Sequence, residues 1–376
     1  MEIDLVRKIV FLLNHSPDPR IIKKIETIAD IIKDVEIIFW NRFDDIFKYS
    51  GDFRTYPITI KNSSNFYLRI INSIYLIFKS LFYLFKSKPD IIYIDGIDML
   101  MSAYIFKLLS FRKIKKKIIL EIGDIPVVHY KKKHMLLSFI IEKLINLLIK
   151  KVDLLVLTSP YFWDEYYKKI YPFKENVIII ENVPEKSLFE NYIPIEHEGF
   201  IIGFIGSIRY VKQLKLLFDA CKGLNDIKII IAGGGPEINK LKEIINNYEN
   251  VYYLGPFDYK KDILKLYSQV DLLYAVYDTS IENVKKALPN KLYEAIVCEI
   301  PIVVARGTSL ADYVKKLGVG FSVSDSDPNE LRNLILYVKS NDSVIKNIKN
   351  KEKLLKERFY WENIKEELKR AVLKLL

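Results

Sequence analysis

The segment Lys286-Ala-Leu-Pro-Asn-Lys-Leu-Tyr-Glu294, followed by Pro301-Ile-Val-Val-Ala-Arg-Gly-Thr308, combines residue types that can hold a phosphorylated diol. It reads as a loop, a helix and a buried strand. Pro289 suits a first helical position. The unpaired amides after it, with the positive end of the helix dipole, make an anion seat in which Asn290 and Lys291 lie. Glu294 falls about one turn further along, where a carboxylate can accept two hydrogen bonds from vicinal hydroxyls. A nucleotide's diphosphate and ribose require that division of labour. A capped helix with a surface glutamate fits the same residues.

A second anion site is suggested by Gly206-Ser-Ile-Arg-Tyr-Val-Lys212, which lies between an apolar run and the helical pattern Leu214-Lys-Leu-Leu-Phe-Asp-Ala220. Gly206 and Ser207 would form its loop, with Arg209 and Lys212 projecting near a strand end and a helix start. In Ala232-Gly-Gly-Gly-Pro236 the glycines, Gly235 among them, permit close backbone approach. The run is neither a GxGxxG fingerprint nor a P-loop. His15, His129, His134 and His197 lack HExxH spacing, and Ser159-Pro160 is no GxSxG elbow, so they read as surface or core residues. Asp44-Asp45 and Asp95-Gly-Ile-Asp98 read as loop acids, and no metal site is expected. Asp124, before Ile125-Pro126, has the chemistry of a helix cap.

The elements that must position these residues follow from the apolar runs. Strands are expected at 8–13, 35–40, 91–94, 117–122, 154–157 and 177–180, and again at 201–205, 228–232, 251–254, 272–275, 302–305 and 320–323, with helical patterns between nearly all of them. This alternation is the sequence form of doubly wound parallel α/β sheets, whose ligands sit at the carboxyl ends of the strands. A chain of 376 residues suggests about two domains. The polar run from Glu181 to Gly199 reads as the linker. The expected division is an N-terminal domain at 1–190, a C-terminal domain at 191–360, and a closing helix at 361–376.

Cys221 and Cys298 lack the spacing of a disulfide framework or a zinc site, which points to a reducing compartment. The acids at Glu2 and Asp4 stand where a signal peptide would be basic. A formal charge of +11 attracts polyanions generally. No nucleic-acid-binding pattern appears, and the cations flank greasy helical segments instead. Phe66, Ile70, Ile74, Phe78, Leu81 and Phe85 recur at helical spacing. The stretch 135–149 is apolar nearly all round, between Lys131-Lys-Lys-His134 and Lys150-Lys151, and Arg112-Lys-Ile-Lys-Lys-Lys117 adds a further basic cluster. Such helices either lie in an anionic headgroup layer or cover the first sheet.

The order of these pieces resembles family 4 of the retaining glycosyltransferases. It is carried by Asp18-Pro-Arg20, 206–212, Ile231-Ala-Gly-Gly-Gly-Pro236, Asn250-Val-Tyr-Tyr-Leu-Gly255, Asp271, Pro289-Asn-Lys-Leu-Tyr-Glu294 and Trp361-Glu-Asn363. The resemblance implies a GT-B fold, two Rossmann-like doubly wound domains facing a cleft. It also implies a nucleotide-sugar donor in the C-terminal domain, an acceptor in the N-terminal one and no separate cofactor. By that likeness Lys212 matches a diphosphate-binding lysine and Glu294 a ribose-binding glutamate. Leu254 lies near the base, and Asp124 matches a cleft position that orients acceptor or sugar. Two departures stand out: Lys286 replaces the first glutamate of an E-x7-E pair, and Ser207 replaces an arginine, with Arg209 displaced along the loop.

The implied activity is transfer of a sugar from a nucleotide sugar to a lipid-linked or polysaccharide-precursor glycan, with retention, by a cytoplasmic protein peripheral on the inner face of the cell membrane. Arg209, Lys212 and Lys291 would carry the charge of the leaving diphosphate. A sugar-nucleotide epimerase of similar fold and a noncatalytic transferase partner remain alternatives.

Overall fold

The computed structural model describes residues 7–41, 53–60, 65–110, 116–126 and 135–376. Asp44, Asp45, His129, His134 and the basic residues at 112–115 and 131–133 lie outside them. The chain divides into two compact units, 1–181 with 365–376, and 182–364.

The first unit contains β1 (Lys8–Leu13), α1 (Pro19–Ala29), β2 (Asp34–Asn41), β3 (Arg54–Thr59), α2 (Phe66–Ser87), β4 (Ile91–Asp95), α3 (Leu100–Leu109), β5 (Lys117–Ile122), α4 (Met135–Ile149), β6 (Leu154–Leu157), α5 (Pro160–Glu165) and β7 (Val177–Ile179). Its seven strands are ordered β3-β2-β1-β4-β5-β6-β7 and all pair in parallel. The interior strands are almost entirely buried, as continuous apolar runs require when helices cover both faces. β3 was not expected. Its Arg54-Thr-Tyr-Pro-Ile-Thr sequence is that of an edge strand, where Pro57 is tolerated because one side needs no partner.

The second unit contains α6 (Lys186–Phe189), β8 (Phe200–Ile205), α7 (Val211–Cys221), β9 (Ile227–Ala232), α8 (Ile238–Ile245), β10 (Val251–Gly255), α9 (Tyr259–Tyr267), β11 (Leu272–Ala275), α10 (Glu282–Lys286), α11 (Asn290–Val297), β12 (Ile302–Ala305), α12 (Ser309–Leu317), β13 (Gly320–Val323), α13 (Pro328–Lys339), α14 (Asp342–Leu355) and the start of α15 (Trp361–Leu373). The order β10-β9-β8-β11-β12-β13 is again wholly parallel. Residues of α15 from Lys365 onward belong to the first unit, where Lys369 pairs with Asp30 at 2.8 Å.

Each sheet has one switch point, where strand order reverses: between β1 and β4, and between β8 and β11. A crevice opens there because successive crossovers leave on opposite faces. The loop after β8 with the start of α7, and the segment after β11 with α11, carry most of the residues singled out from the sequence.

Candidate functional site

At the switch point of the second sheet, the loop after β8 folds over the side chain of Lys291. Gly206 has φ +134, and a Cβ there would lie 2.9 Å from Lys291 Cε. The positive φ favours glycine, and a side chain there would press on the end of the lysine. The neighbouring loop closes on the same segment: the Ile208 amide donates to Gly234 O at 2.8 Å, and a Cβ on Gly235 would lie 2.4 Å from Ile208 O. The glycine run therefore permits close approach between two loops of this chain.

Lys291 is only 5% exposed. Its Nζ sits 3.6 Å from the Phe204 ring centroid and 5.4 Å from that of Tyr277, so two π faces surround the amine. Burial lowers its pKa to about 7, against the raising influence of the Glu294 charge. Arg209 and Lys212 are exposed at the entry to α7. Arg209 donates through Nε to Ser207 Oγ at 3.1 Å, and its charge favours ionisation of the buried Tyr277 phenol, though burial dominates and raises that pKa. Lys212 acts on Asp278, whose carboxyl is held low by hydrogen bonds from Ser280 and by that lysine. Three cationic side chains are thus gathered around the loop after β8 and the segment after β11.

α11 begins at Asn290, and Pro289 is its cap. Pro289 was expected at the first helical position. Its extended backbone, φ −74 and ψ 152, places it one residue earlier, with its carbonyl accepting from the Leu292 amide. One turn on, Glu294 is buried and accepts three hydrogen bonds. Oε1 accepts from the Tyr259 hydroxyl at 2.7 Å and from Asn290 Nδ2 at 2.9 Å, and Oε2 from the Tyr267 hydroxyl at 2.6 Å. Burial and this carboxylate together push both tyrosine pKa values up, so both phenols remain donors. Lys286 ends α10, on the approach to α11. Leu254 is 50% exposed on the edge strand β10, beside a register shift between Tyr253 and Gly255. Tyr253 reaches back to Gly233 O at 2.9 Å, tying that edge to the glycine loop.

Asp124 lies exposed after β5, in the first unit. The same edge of that sheet holds a charge network that the sequence did not announce. Arg20 pairs with Asp95 at 2.8 Å and with Glu121, and the buried Lys24 meets Glu121 at 2.5 Å. Tyr93 donates to the second Glu121 oxygen. His15 Nε2 lies 2.7 Å from Asp95 Oδ2 and its Nδ1 2.6 Å from the Ser16 carbonyl. Both partners are acceptors, an arrangement that favours the doubly protonated ring. Burial opposes that charge, yet the Asp95 hydrogen bond and charge outweigh it and raise the His15 pKa. Asp95 is itself held down at about 2, burial being outweighed by Arg20 and His15. The available signals were Arg20 and Lys24, four apart at a helix start, and carboxylates closing otherwise apolar strands. Among the described residues no cluster of metal-ligating side chains is present.

Residues 186–355 match the family described as Glycosyl transferases group 1. An uncharacterized glycosyltransferase of Methanocaldococcus jannaschii is 26% identical over 291 residues, 73% of this chain and 72% of that protein. The succinoglycan biosynthesis protein ExoL of Rhizobium meliloti is 22% identical over 270 residues, 66% of this chain and 64% of the relative. Among solved structures, HepE of Anabaena in complex with UDP-glucose superposes with a TM-score of 0.72 at 15% identity, covering 97% of this chain and 99% of that one. Sucrose-phosphate synthase of Thermosynechococcus elongatus gives 0.70 at 15% identity, covering 98% and 99%. The two parallel-sheet units have the architecture of GT-B glycosyltransferases.

Proposed function

We propose that this chain is a glycosyltransferase that moves a sugar from a nucleotide-sugar donor to a lipid-linked or polysaccharide-precursor glycan. The carrying observation is the meeting of Lys291, Arg209 and Lys212 around the Gly206 loop at the second switch point, with Glu294 one helical turn beyond. When the anomeric C–O bond breaks, charge develops on the departing diphosphate. Fixed cations and the free amides at the start of α11 stabilise it. Glu294 has one hydrogen-bond site beyond its three donors, and a ribose hydroxyl can use it directly or displace Asn290. Leu254 offers an apolar contact for the base at the β10 edge. Asp124 and the loops after β1, β4 and β5 face the acceptor in this reading.

The HepE complexes with UDP and UDP-glucose favour a nucleotide donor. The relatives named for succinoglycan and teichuronic acid biosynthesis favour a polysaccharide acceptor. Retention follows the family 4 resemblance. The protein acts without a separate cofactor, in the cytoplasm, where its two buried free cysteines stay reduced.

The test is product analysis with the full-length chain and a panel of nucleotide sugars, UDP-glucose first, with and without a glycan-lipid extract. Acceptor-dependent release of nucleoside diphosphate with a glycosylated product is expected. Conversion of the nucleotide sugar without acceptor would establish an epimerase. Binding of UDP without turnover would establish a noncatalytic partner.

A further inference from the structure

The helix α2 is built inside out. At 3.6 residues per turn, Ile71, Ile74, Tyr75, Phe78, Phe82 and Phe85 share one side, and all are exposed. Phe78 and Phe82 are 67% and 60% exposed. The opposite, buried side is Leu76, Ser80, Leu84 and Ser87, so the serines face the protein and the phenylalanines face away. A helix that merely covered the sheet would have the reverse pattern. α4 repeats it. Ile140, Leu144 and Leu147 point outward, while Asn146 turns its side-chain oxygen into the interior, where it has no hydrogen-bond partner. α3 packs against both helices, so the two outward faces flank one shared element.

Charge indicates what meets this face. α2 contains no aspartate or glutamate, and the one acid of α4, Glu142, is half-buried on the Asn146 side. Cations border the exposed apolar surface: Lys79 lies over the Tyr75 ring, Lys143 over the Phe139 ring, and Lys86, Lys150 and Lys151 are exposed. On α2 and α4, among the described residues, the apolar surface is bordered by lysines and carries no exposed acid, which complements an anionic headgroup layer. Residues Tyr67–Ser87 are also long and apolar enough to cross a bilayer, with mean hydropathy 1.4. The burial of Leu76, Ser80 and Leu84 against the protein, with α3 alongside, instead fits a helix lying on the surface.

The placement is also directional. α2 ends at Ser87 and its cap Lys88 stands three residues before β4, so its carboxyl end lies at the amino edge of the sheet. Its 22 residues extend about 33 Å, against about 17 Å for the five residues of β4. The amino-terminal half therefore overhangs the carboxyl edge, the edge that bears His15, Asp95 and Asp124. We propose that the first unit seats on an anionic lipid bilayer through the outward faces of α2 and α4, with the α2 overhang bringing headgroups beside those loops. The seating deepens the transferase reading by delivering a lipid-linked acceptor to them, yet it rests on no donor-site residue.

Flotation of the full-length chain with phosphatidylcholine vesicles containing about 30 mol % phosphatidylglycerol tests this, with pure phosphatidylcholine as comparison. The expected result is binding to the anionic vesicles, weakened by salt, and a loss of about tenfold or more in partitioning for Phe78→Glu/Phe82→Glu. Leu144→Glu/Leu147→Glu should behave likewise. Unchanged circular dichroism and UDP affinity in these variants keep a folding defect apart from a binding defect. The proposal is overturned if the wild type stays soluble with anionic vesicles, or if the variants float equally well. It is also overturned if light scattering shows a vesicle-free dimer that the variants dissociate, since a second copy then covers the face. UDP binding and turnover with a water-soluble acceptor are read separately, so loss of either reading leaves the other measurable.

Discussion

The Tyr267 hydroxyl donates to Glu294 Oε2 at 2.6 Å, so α9 fixes the orientation of a carboxylate on α11. Tyr259, from the other end of α9, holds the second oxygen at 2.7 Å. Tyr267→Phe leaves a buried carboxylate oxygen without its donor, which costs about 1–3 kcal/mol of stability. It should weaken UDP binding about three- to tenfold, because the carboxylate is no longer held in one rotamer. Calorimetric titration with UDP, beside thermal unfolding, reads both effects. Wild-type affinity in a folded Tyr267→Phe protein would remove Tyr267 from the donor site.

Lys291 connects donor binding to pH. Its pKa in the folded chain is about 7, against an ordinary 10.5, because burial penalises the ammonium. Between those values the unfolded chain binds the additional proton, so stability rises with pH across that window. Below pH about 7 both states are protonated and the penalty is present in full. A bound diphosphate restores the charged form. UDP binding at pH 8 should therefore take up close to one proton, seen as a binding enthalpy that varies with the ionisation enthalpy of the buffer. Lys291→Met should abolish that variation and weaken UDP. Buffer-independent enthalpy in the wild type would exclude proton uptake at this site.

Glu352, on α14, is the clearest destabilising group in the second unit. Both its carboxyl oxygens are buried and have no hydrogen-bond partner. Burial first, and the Glu299 charge second, drive its pKa well above the usual carboxylate value. The folded chain then holds a proton that the unfolded chain releases, so this group removes stability as pH rises above the unfolded value near 4.3. Glu352→Gln should stabilise the protein at pH 8 by about 1–3 kcal/mol, with the gain shrinking toward pH 4. Denaturant unfolding at both pH values is the measurement. A gain of equal size at both would mean that the carboxyl does not titrate.

The sheets were legible in the sequence because parallel strands buried on both faces are continuous apolar runs, as in Lys8–Leu13 and Ile302–Ala305. β3 was not, since an edge strand with Pro57 and only Ile58 buried lacks that signal. The loop residues 206–212 and 289–294 could be placed from glycine and proline punctuation. Their partners could not: Tyr259 and Tyr267 are 35 and 27 residues from Glu294, and only folding brings them together. The period of α2 was visible as well. Which side faces outward was not, because both sides carry apolar residues and only burial separates Phe78 from Leu76.

The backbone seam between the loop after β8 and the glycine run after β9 has a consequence for how this protein can diverge. Gly206 O lies 2.0 Å from where a Cβ on Gly233 would be, and the Ile208 amide donates to Gly234 O while its carbonyl accepts from the Glu237 amide. Neither loop can lengthen or shorten, nor can Gly233 or Gly235 gain a side chain, unless the other loop changes in step. Variation in what the second unit accepts is thereby channelled to surfaces outside the seam, such as the Leu254 edge, where single substitutions carry no matching requirement.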